Sequence, residues 1–424
     1  MTGHTGNDMM IDAASAPRHG RLPRHGALPT YLKLVASVIA VLAVSAASVA
    51  AWAAIDLVTS LKPSLEVESE AILEGVPDIG AMEGGLNFLV VGSDKRPVSG
   101  AFGDSEEESG ERNDVTMLLH ISQDHSHVEV VSFPRDMLVE VPECANPEDP
   151  GGEPLSAMSD VKINTVLQHG GFSCVALTVE QLTGVTIPTG GIVEFDGVAA
   201  LATAVGGVEV CLAERIDDDE AGLHLDAGVH SISGYDALAF LRSRHGVGDG
   251  SDLGRISNQQ TFLASLIRTV KSGGTLDDPV KLYSIAKAVT SNMRLTSGVQ
   301  DPVRLVSIAR ALQDIDLSKV AFIQYPTGYT DDRSAVVPTD SAQLVNAALQ
   351  ADLPVQLDPT ANDNTEFGTA ADPAAPAEPV PAPAEGTPAD PAATTAPTTP
   401  AQPLPPDVTG QSGADVRCST ANEG

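Results

Sequence analysis

The stretch VVSFPRD, Val130 to Asp136, decides how the rest of the chain is read. An apolar, β-favouring run stops at a proline, which cannot donate to a ladder, and then presents an arginine and an aspartate. Such a run is a buried strand that delivers charge to the edge of a sheet. Taken alone, it reads equally as a strand-end turn carrying a surface ion pair. What the neighbouring segments bring to the same edge decides between the two.

Working outward, HVEVVSF (His127 to Phe133) follows DVTMLLHIS (Asp114 to Ser122) across the polar turn QDHSH, in which His125 and His127 read as a solvated hairpin tip rather than a metal pair. Before them, NFLVVGSDKRP (Asn87 to Pro97) gives a buried strand and a turn bearing Asp94, Lys95 and Arg96, and GDSEEESGER (Gly103 to Arg112) is a solvated acidic insertion. Downstream, Val175, Val179 and Leu182 follow a helical spacing closed by Gly184. A strand, a helix and a strand follow in TIPTGGIVEFDGVAALATAVGGVEVCLAE. GYDALAFLRSR (Gly234 to Arg244) is a helix ending in cations, and RISNQQTFLASLIRTV (Arg255 to Val270) is another. Lys281 to Ala311 reads as helical, KVAFIQYP (Lys319 to Pro326) as a buried strand and SAQLVNAALQ (Ser341 to Gln350) as a closing helix. Helices alternating with strands predict an α/β fold, a layered α-β-α domain around a central mixed sheet.

The flanks differ from this core. Residues 1–33 are polar, with Arg18, Arg21, Arg24 and Lys33 against Asp8 and Asp12, and read as a disordered cytoplasmic segment. Residues 34–55 carry no charge and are long enough, at ~1.5 Å per residue, to cross a hydrocarbon core of ~30 Å. The basic flank then places the N-terminus inside and everything after Asp56 outside. A cleaved signal peptide, with small residues near Ala51 and Ala53, is the competing reading. Residues 56–84 form a stalk and 85–353 the extracytoplasmic domain. Residues 354–424 form a Pro/Ala-rich tail whose composition cannot bury enough apolar surface to order it.

The 424 residues carry 24 Lys and Arg against 57 Asp and Glu, a net charge of −33, with no basic run to neutralise a phosphate backbone. Nucleic-acid binding is thereby excluded. An anionic small ligand is not, because charges beyond a Debye length of ~8 Å are screened and only local charge counts. Of the four cysteines, Cys144 and Cys174 flank one loop and are expected to bridge, closing about thirty residues for roughly 3–4 kcal/mol in the chain-entropy model. Cys211 and Cys418 pair by elimination, or Cys211 is a small buried apolar residue in a strand. No C-x-x-C or His cluster suggests zinc.

Ionisable residues gather at element ends: Asp94, Asp114, Arg135, and then Arg242, Arg244 and Arg255 on or beside helices. Each has a local account. Asp114 hydrogen-bonds a turn, Arg242 and Arg244 complement a helix C-terminus for a few tenths of a kcal/mol, and Asp252 caps the helix carrying Arg255. Together they are the parts of a pyrophosphate site, carboxylates for a hard divalent cation and arginine forks for phosphate oxygens.

In order, NFLVVGSDKRP, DVTML, VVSFPRD, KIN, TVEQLTG, GGVEV, ALAFLRSR and DLGRISNQQ resemble the motifs of the LytR-CpsA-Psr (LCP) family of membrane-anchored cell-wall ligases, over Leu86 to Val270. The Ala-rich composition and the cysteines are similar to those of actinobacterial members. The resemblance implies a phosphotransferase that moves a glycopolymer from a polyprenyl pyrophosphate carrier to peptidoglycan. It implies Mg²⁺ or Mn²⁺ at Asp94 and Asp114, and Arg135, Arg242, Arg244 and Arg255 around the pyrophosphate. Lys95, Arg96, Gln259 and Gln260 join the substrate-binding set, and the polyprenyl chain enters an apolar cavity between sheet and helices. Asn258 departs from the family pattern where many relatives carry arginine, which is expected to lower the positive charge of the rim. The rival readings are a polyprenyl pyrophosphatase using the same site and a non-enzymatic transcriptional attenuator. The polymer itself is not legible, since arabinogalactan, teichoic acid and capsule present the same handle.

Overall fold

The computed structural model describes residues 27–73, 85–93, 111–149, 151–248, 250–272, 278–300, 304, 308, 312–313, 315–361, 370–371 and 400–422. The chain forms two compact units, residues 1–56 and 57–424. The first holds most of helix α1 (Ala27–Thr59), which is longer at both ends than the apolar run 34–55 and is long and apolar enough to cross a membrane.

The second unit contains strands β1 (Leu86–Ser93), β2 (Asn113–Ile121), β3 (Val128–Phe133), β4 (Leu138–Val141) and β5 (Met158–Lys162), then α2 (Val166–Thr183), β6 (Thr189–Val193), α3 (Phe195–Ala204) and β7 (Val208–Leu212). Next come β8 (Ile216–Asp218), β9 (Leu223–Leu225), β10 (Gly228–Ile232), α4 (Gly234–Arg242), α5 (Asp252–Ser272), α6 (Pro279–Asn292) and β11 (Met293–Leu295). They are followed by β12 (Val320–Gln324), β13 (Thr327–Tyr329), β14 (Val336–Pro338), α7 (Ala342–Gln350), β15 (Val355–Gln356), β16 (Ala370–Ala371), β17 (Gln402–Pro403), β18 (Gly410–Ser412) and β19 (Arg417–Ser419).

The central sheet has seven strands in the order β11-β6-β1-β2-β3-β12-β18. It is mixed: β1 runs parallel to β6 and β3 parallel to β12, whereas β1, β2 and β3 form an antiparallel meander. β3 is buried at every position, because apolar side chains leave it on both faces. On one face Leu89, Leu118, Val131 and Phe133 pack with Val175 and Val179 of α2 and Val345 of α7. On the other, Met117, Val130 and Phe322 pack with Ala264 of α5. This is the expected α-β-α layering, and each fully buried Leu, Val or Phe in it contributes about 1.5–3 kcal/mol.

α2 bends where Gly170 and Gly171 leave helical angles. A Cβ on Gly170 would lie 2.8 Å from Cys174 Sγ and 3.4 Å from Cys144 Cβ, so the bend makes room for the Cys144–Cys174 disulfide. Gly184 ends the helix at φ 73°, as its place after the helical spacing implies.

Three expectations change. The helical reading of Lys281 to Ala311 breaks at Asn292, whose side chain donates to Ala288 O, and Met293 to Leu295 pairs instead with β6 as an edge strand. His127 is no hairpin-tip residue, being 3% exposed with Nδ1 against the buried Glu129 carboxylate at 2.9 Å. The tail reading does not hold for residues 400–422. Leu404 and Val408 are buried in the main core, β18 joins β12, and β19 runs parallel to β7, where Cys418 and Cys211 form a second disulfide.

His127 carries a pH signature. Burial opposes the charge on His127, but the Glu129 hydrogen bond and the charges of Glu129, Asp352 and Asp124 outweigh it and raise its pKa above 6.5. Its contribution to stability is therefore complete below pH 6.5 and is lost as pH rises through the raised value. A His127→Gln variant should show a shallower fall in unfolding midpoint between pH 6 and 8 than the wild type, measured by thermal melts; parallel profiles would remove His127 from that role.

Candidate active site

The antiparallel register places Asn113 opposite Ser93 and Thr116 opposite Phe133, so β1 ends, β2 begins and β3 ends at one edge. Gly92 pairs with Val193 in the parallel β6, which brings Phe195 at the start of α3 to that edge too. The C-terminal ends of parallel strands are where α/β sheets hold ligands. A cavity of about 420 Å³ opens here. Among the described residues five cations, Arg112, Arg135, Lys162, Arg242 and Arg244, and two carboxylates, Asp114 and Asp136, line it with Asn164, Thr165 and Phe195.

Arg135 is the hub. Its Nη1 donates to Asp114 Oδ1 at 3.0 Å, its Nε lies 3.6 Å from Asp136 Oδ2 and 3.7 Å from Asp252 Oδ1, and its backbone N–H donates to Asp252 Oδ2 at 3.1 Å. Burial disfavours the cation, but Asp114, Asp252 and Asp136 outweigh it and hold the pKa above its ordinary value. Asp136 does pair with Arg135, and it also accepts from Lys162 Nζ at 2.8 Å.

Asp252 opens α5, yet its role is not capping: Ser251 Oγ accepts the Leu253 and Gly254 amides instead. Asp252 ties Arg135 to Arg255, whose Nη2 lies 2.6 Å from Asp252 Oδ1 and donates to the Asp114 carbonyl at 2.7 Å. Arg255 is 5% exposed and braces the rim rather than lining this cavity.

α4 delivers the remaining arginines. Arg242 sits in its last turn with the guanidinium 4.7 Å from the Phe195 ring centroid, a cation–π contact. Arg244 lies one residue past the C-cap, in a turn held by Asp218, whose Oδ2 accepts from Ser243 Oγ at 2.7 Å and from the amides of Arg244 and Gly246. Burial, together with the like charges of Arg135 and Arg255, lowers the pKa of Arg244. No carboxylate among the described residues closes on its guanidinium within ion-pair distance. Arg135 Nε, Asn164 Oδ1 and Arg255 Nε are buried without hydrogen-bond partners among the described residues, as polar groups awaiting a ligand are.

Asp94, Lys95 and Arg96 follow β1 in the sequence and lie outside the described residues. Gln259 and Gln260 do not reach the cavity: both are buried, and Gln259 Nε2 donates to Leu241 O. Arg112, Lys162, Phe195 and Asp218 were not singled out by sequence reasoning. The KIN motif and the arginine beside Asn113 and Asp114 offered a signal for two of them; Asp218, within an acidic run, offered none.

Residues 57–351, more than half of the chain, match the model of the LytR_cpsA_psr family. The chain belongs to the LytR_cpsA_psr family. It is 31% identical over 297 residues to the cell wall biosynthesis protein LcpA of Corynebacterium glutamicum, covering 64% of this chain and 56% of that one. It is 27% identical over 224 residues to the polyisoprenyl-teichoic acid–peptidoglycan teichoic acid transferase TagV of Bacillus subtilis, covering 50% of this chain and 54% of TagV. The LytR-Csp2A-Psr enzyme from Actinomyces oris is 24% identical, with a TM-score of 0.48 over 63% of this chain and 90% of that one. The chain spans about half the length of the first curated relatives it matches. In this LytR_cpsA_psr protein Asn258 is 1% exposed, donates to Phe240 O at 2.7 Å and accepts from Ser419 Oγ, so it braces α5 against α4 and β19.

Proposed function

We propose that the chain is a membrane-anchored phosphotransferase that moves a glycopolymer from a polyprenyl pyrophosphate carrier to a peptidoglycan hydroxyl. The observation that carries this reading is the cavity itself: among the described residues it has five cations against two carboxylates, in a chain of net charge −33. A pyrophosphate diester brings the two negative charges such a surplus fits, and arginine forks match its oxygens. α1 supports an anchor that keeps the domain near a lipid carrier. Half-buried Val90, Val115, Leu119, Leu263 and Ile267, clustered between sheet and α5, offer an apolar path for its chain.

The donor set also fits a hard cation. Asp114 lines the cavity with Oδ1 engaged by Arg135, and Mg²⁺ is bound through one or two carboxylates plus substrate phosphates rather than by a protein cage. Asp114, with Asp94, would hold Mg²⁺ or Mn²⁺, which when bound neutralises charge on the phosphate oxygens.

In the reaction the acceptor hydroxyl oxygen forms a bond to the sugar-linked phosphorus. The bond from that phosphorus to the bridging oxygen breaks, polyprenyl phosphate leaves with the electron pair, and the hydroxyl proton passes to solvent. Arg135 and Arg244 hold the equatorial and leaving oxygens; positioning and charge stabilisation are most of what phosphoryl transfer asks of a protein.

The test is incubation of the full-length protein in detergent with a labelled lipid-pyrophosphate glycan and peptidoglycan oligomers, with and without Mg²⁺. Label should move to peptidoglycan; label released only into solution despite acceptor would establish a pyrophosphatase instead. In the same assay Arg244→Ala should lose about a hundredfold or more in rate. Its melting temperature should not fall, because burial and its like-charged neighbours already disfavour the Arg244 cation. Near-normal transfer by this variant would sink its assignment.

A further inference from the structure

Beyond the turn at Asp136 lies a second cavity of about 370 Å³, lined in part by Asp136, Ser251, Asp252, Tyr329, Arg333 and Ser334. Asp136 lines both cavities, and Asp252 joins this one to Arg135. We infer that this second cavity is the acceptor subsite, taking a saccharide of the peptidoglycan glycan strand on a platform formed by Tyr329 and Arg333; the inference rests on the transferase reading above.

The first support is charge. The larger cavity gathers five cations, whereas this one has Arg333 against Asp136 and Asp252, so an anion is directed to the former. Carboxylates that only accept, beside serine hydroxyls that both donate and accept, match a polyol. The second support is geometry. Attacking and leaving oxygens in phosphoryl transfer lie roughly in line, so the acceptor must enter from a different side than the departing lipid phosphate. Asp136 lines both cavities, so a saccharide held in the second lies beside the first, on its Asp136 side.

The third support is the rigidity of the platform. The β13–β14 hairpin is tied to the site by the Val336 amide, which donates to Asp136 O at 3.2 Å, and by the bridge between Met137 and Val336. At its tip Asp332 accepts from Thr330 Oγ1 at 2.7 Å and from the Ser334 amide at 3.1 Å, hydrogen bonds that lower its pKa to about 2. The turn puts Arg333 at φ 56° and its guanidinium 4.6 Å from the Tyr329 ring centroid. Tyr329 nonetheless stays 37% exposed. An aromatic ring with an apolar body and a polar edge, held in place before the ligand arrives, suits the face of a sugar.

The experiment uses the full-length protein in detergent, with Tyr329→Ala and Arg333→Ala, a defined peptidoglycan oligomer and the lipid-pyrophosphate donor. Both variants should raise KM for the oligomer by about tenfold, the scale of one lost aromatic contact, with KM for the donor within about twofold of wild type. Direct titration of the oligomer without donor should weaken in parallel. Unchanged oligomer KM and binding in both variants, or no oligomer binding by the wild type, would overturn the subsite. Transfer that proceeds normally in both variants sinks the subsite and leaves the transferase standing. Oligomer binding that depends on Tyr329 without any transfer does the reverse.

Discussion

Arg135→Ala should reduce transfer by about a hundredfold or more, and unlike Arg244→Ala it should also destabilise the protein. The difference follows from what each guanidinium faces. Arg135 is 22% exposed and stands among Asp114, Asp136 and Asp252. Removing it leaves those carboxylates to repel one another and forfeits a charged hydrogen bond worth roughly 2 kcal/mol. Arg135→Lys should not restore activity, because an ammonium cannot span Asp114 and a phosphate with one planar fork. A second change, Asp252→Asn, should recover part of the lost melting temperature in the Arg135→Ala background without recovering transfer. If Arg135→Ala transferred at a near-normal rate, or melted no lower than the wild type, the hub would be misassigned.

The largest effect on stability is expected from the Cys211–Cys418 bridge. The two residues are 207 apart in sequence, against 30 for Cys144–Cys174. The chain-entropy model gives about 5 kcal/mol for the longer loop and about 3.6 kcal/mol for the shorter. Replacing Cys211 and Cys418 by serine should therefore lower the melting temperature more than the equivalent change at Cys144 and Cys174; the reverse order in thermal melts would refute this. Transfer should fall as well, because the returning segment braces the loop after Arg244. The Gly248 amide donates to Thr420 O, and Asn422 donates to the carbonyls of Gly246 and His245.

What sequence made legible, and what it hid, divides along physical lines. Val130 to Asp136 could be read because a β-favouring strand ended by proline is a strong local pattern, and the structure places Arg135 on the wall of the cavity. The opposed charges of Asp114 and Arg135, on adjacent strands, met as the motifs implied. The return of residues 400–422 was hidden, because β18 pairs through backbone groups of three residues, Gly-Gln-Ser, which carry no periodic signal. Gln259, placed near the substrate by the family resemblance, is buried instead: its side chain and that of Asn258 satisfy the carbonyls of Leu241 and Phe240 at the end of α4. Those carbonyls belong to a helix terminus that needs partners, a demand visible only once α4 and α5 are packed.

The short strands at the two margins of the central sheet also bear on solubility. β11 and β18 have three residues each, so neither side presents a long row of unpaired backbone groups to a neighbouring molecule. The protection on the β12 side is delayed, however. Val320 to Ile323 is apolar with β-branched residues at both ends, and the strand's outer edge waits for Gly410 to Ser412, made much later in synthesis. Until they arrive, a nascent chain exposes a strand suited to pairing with another copy of itself, so self-association before closure is a hazard this topology carries.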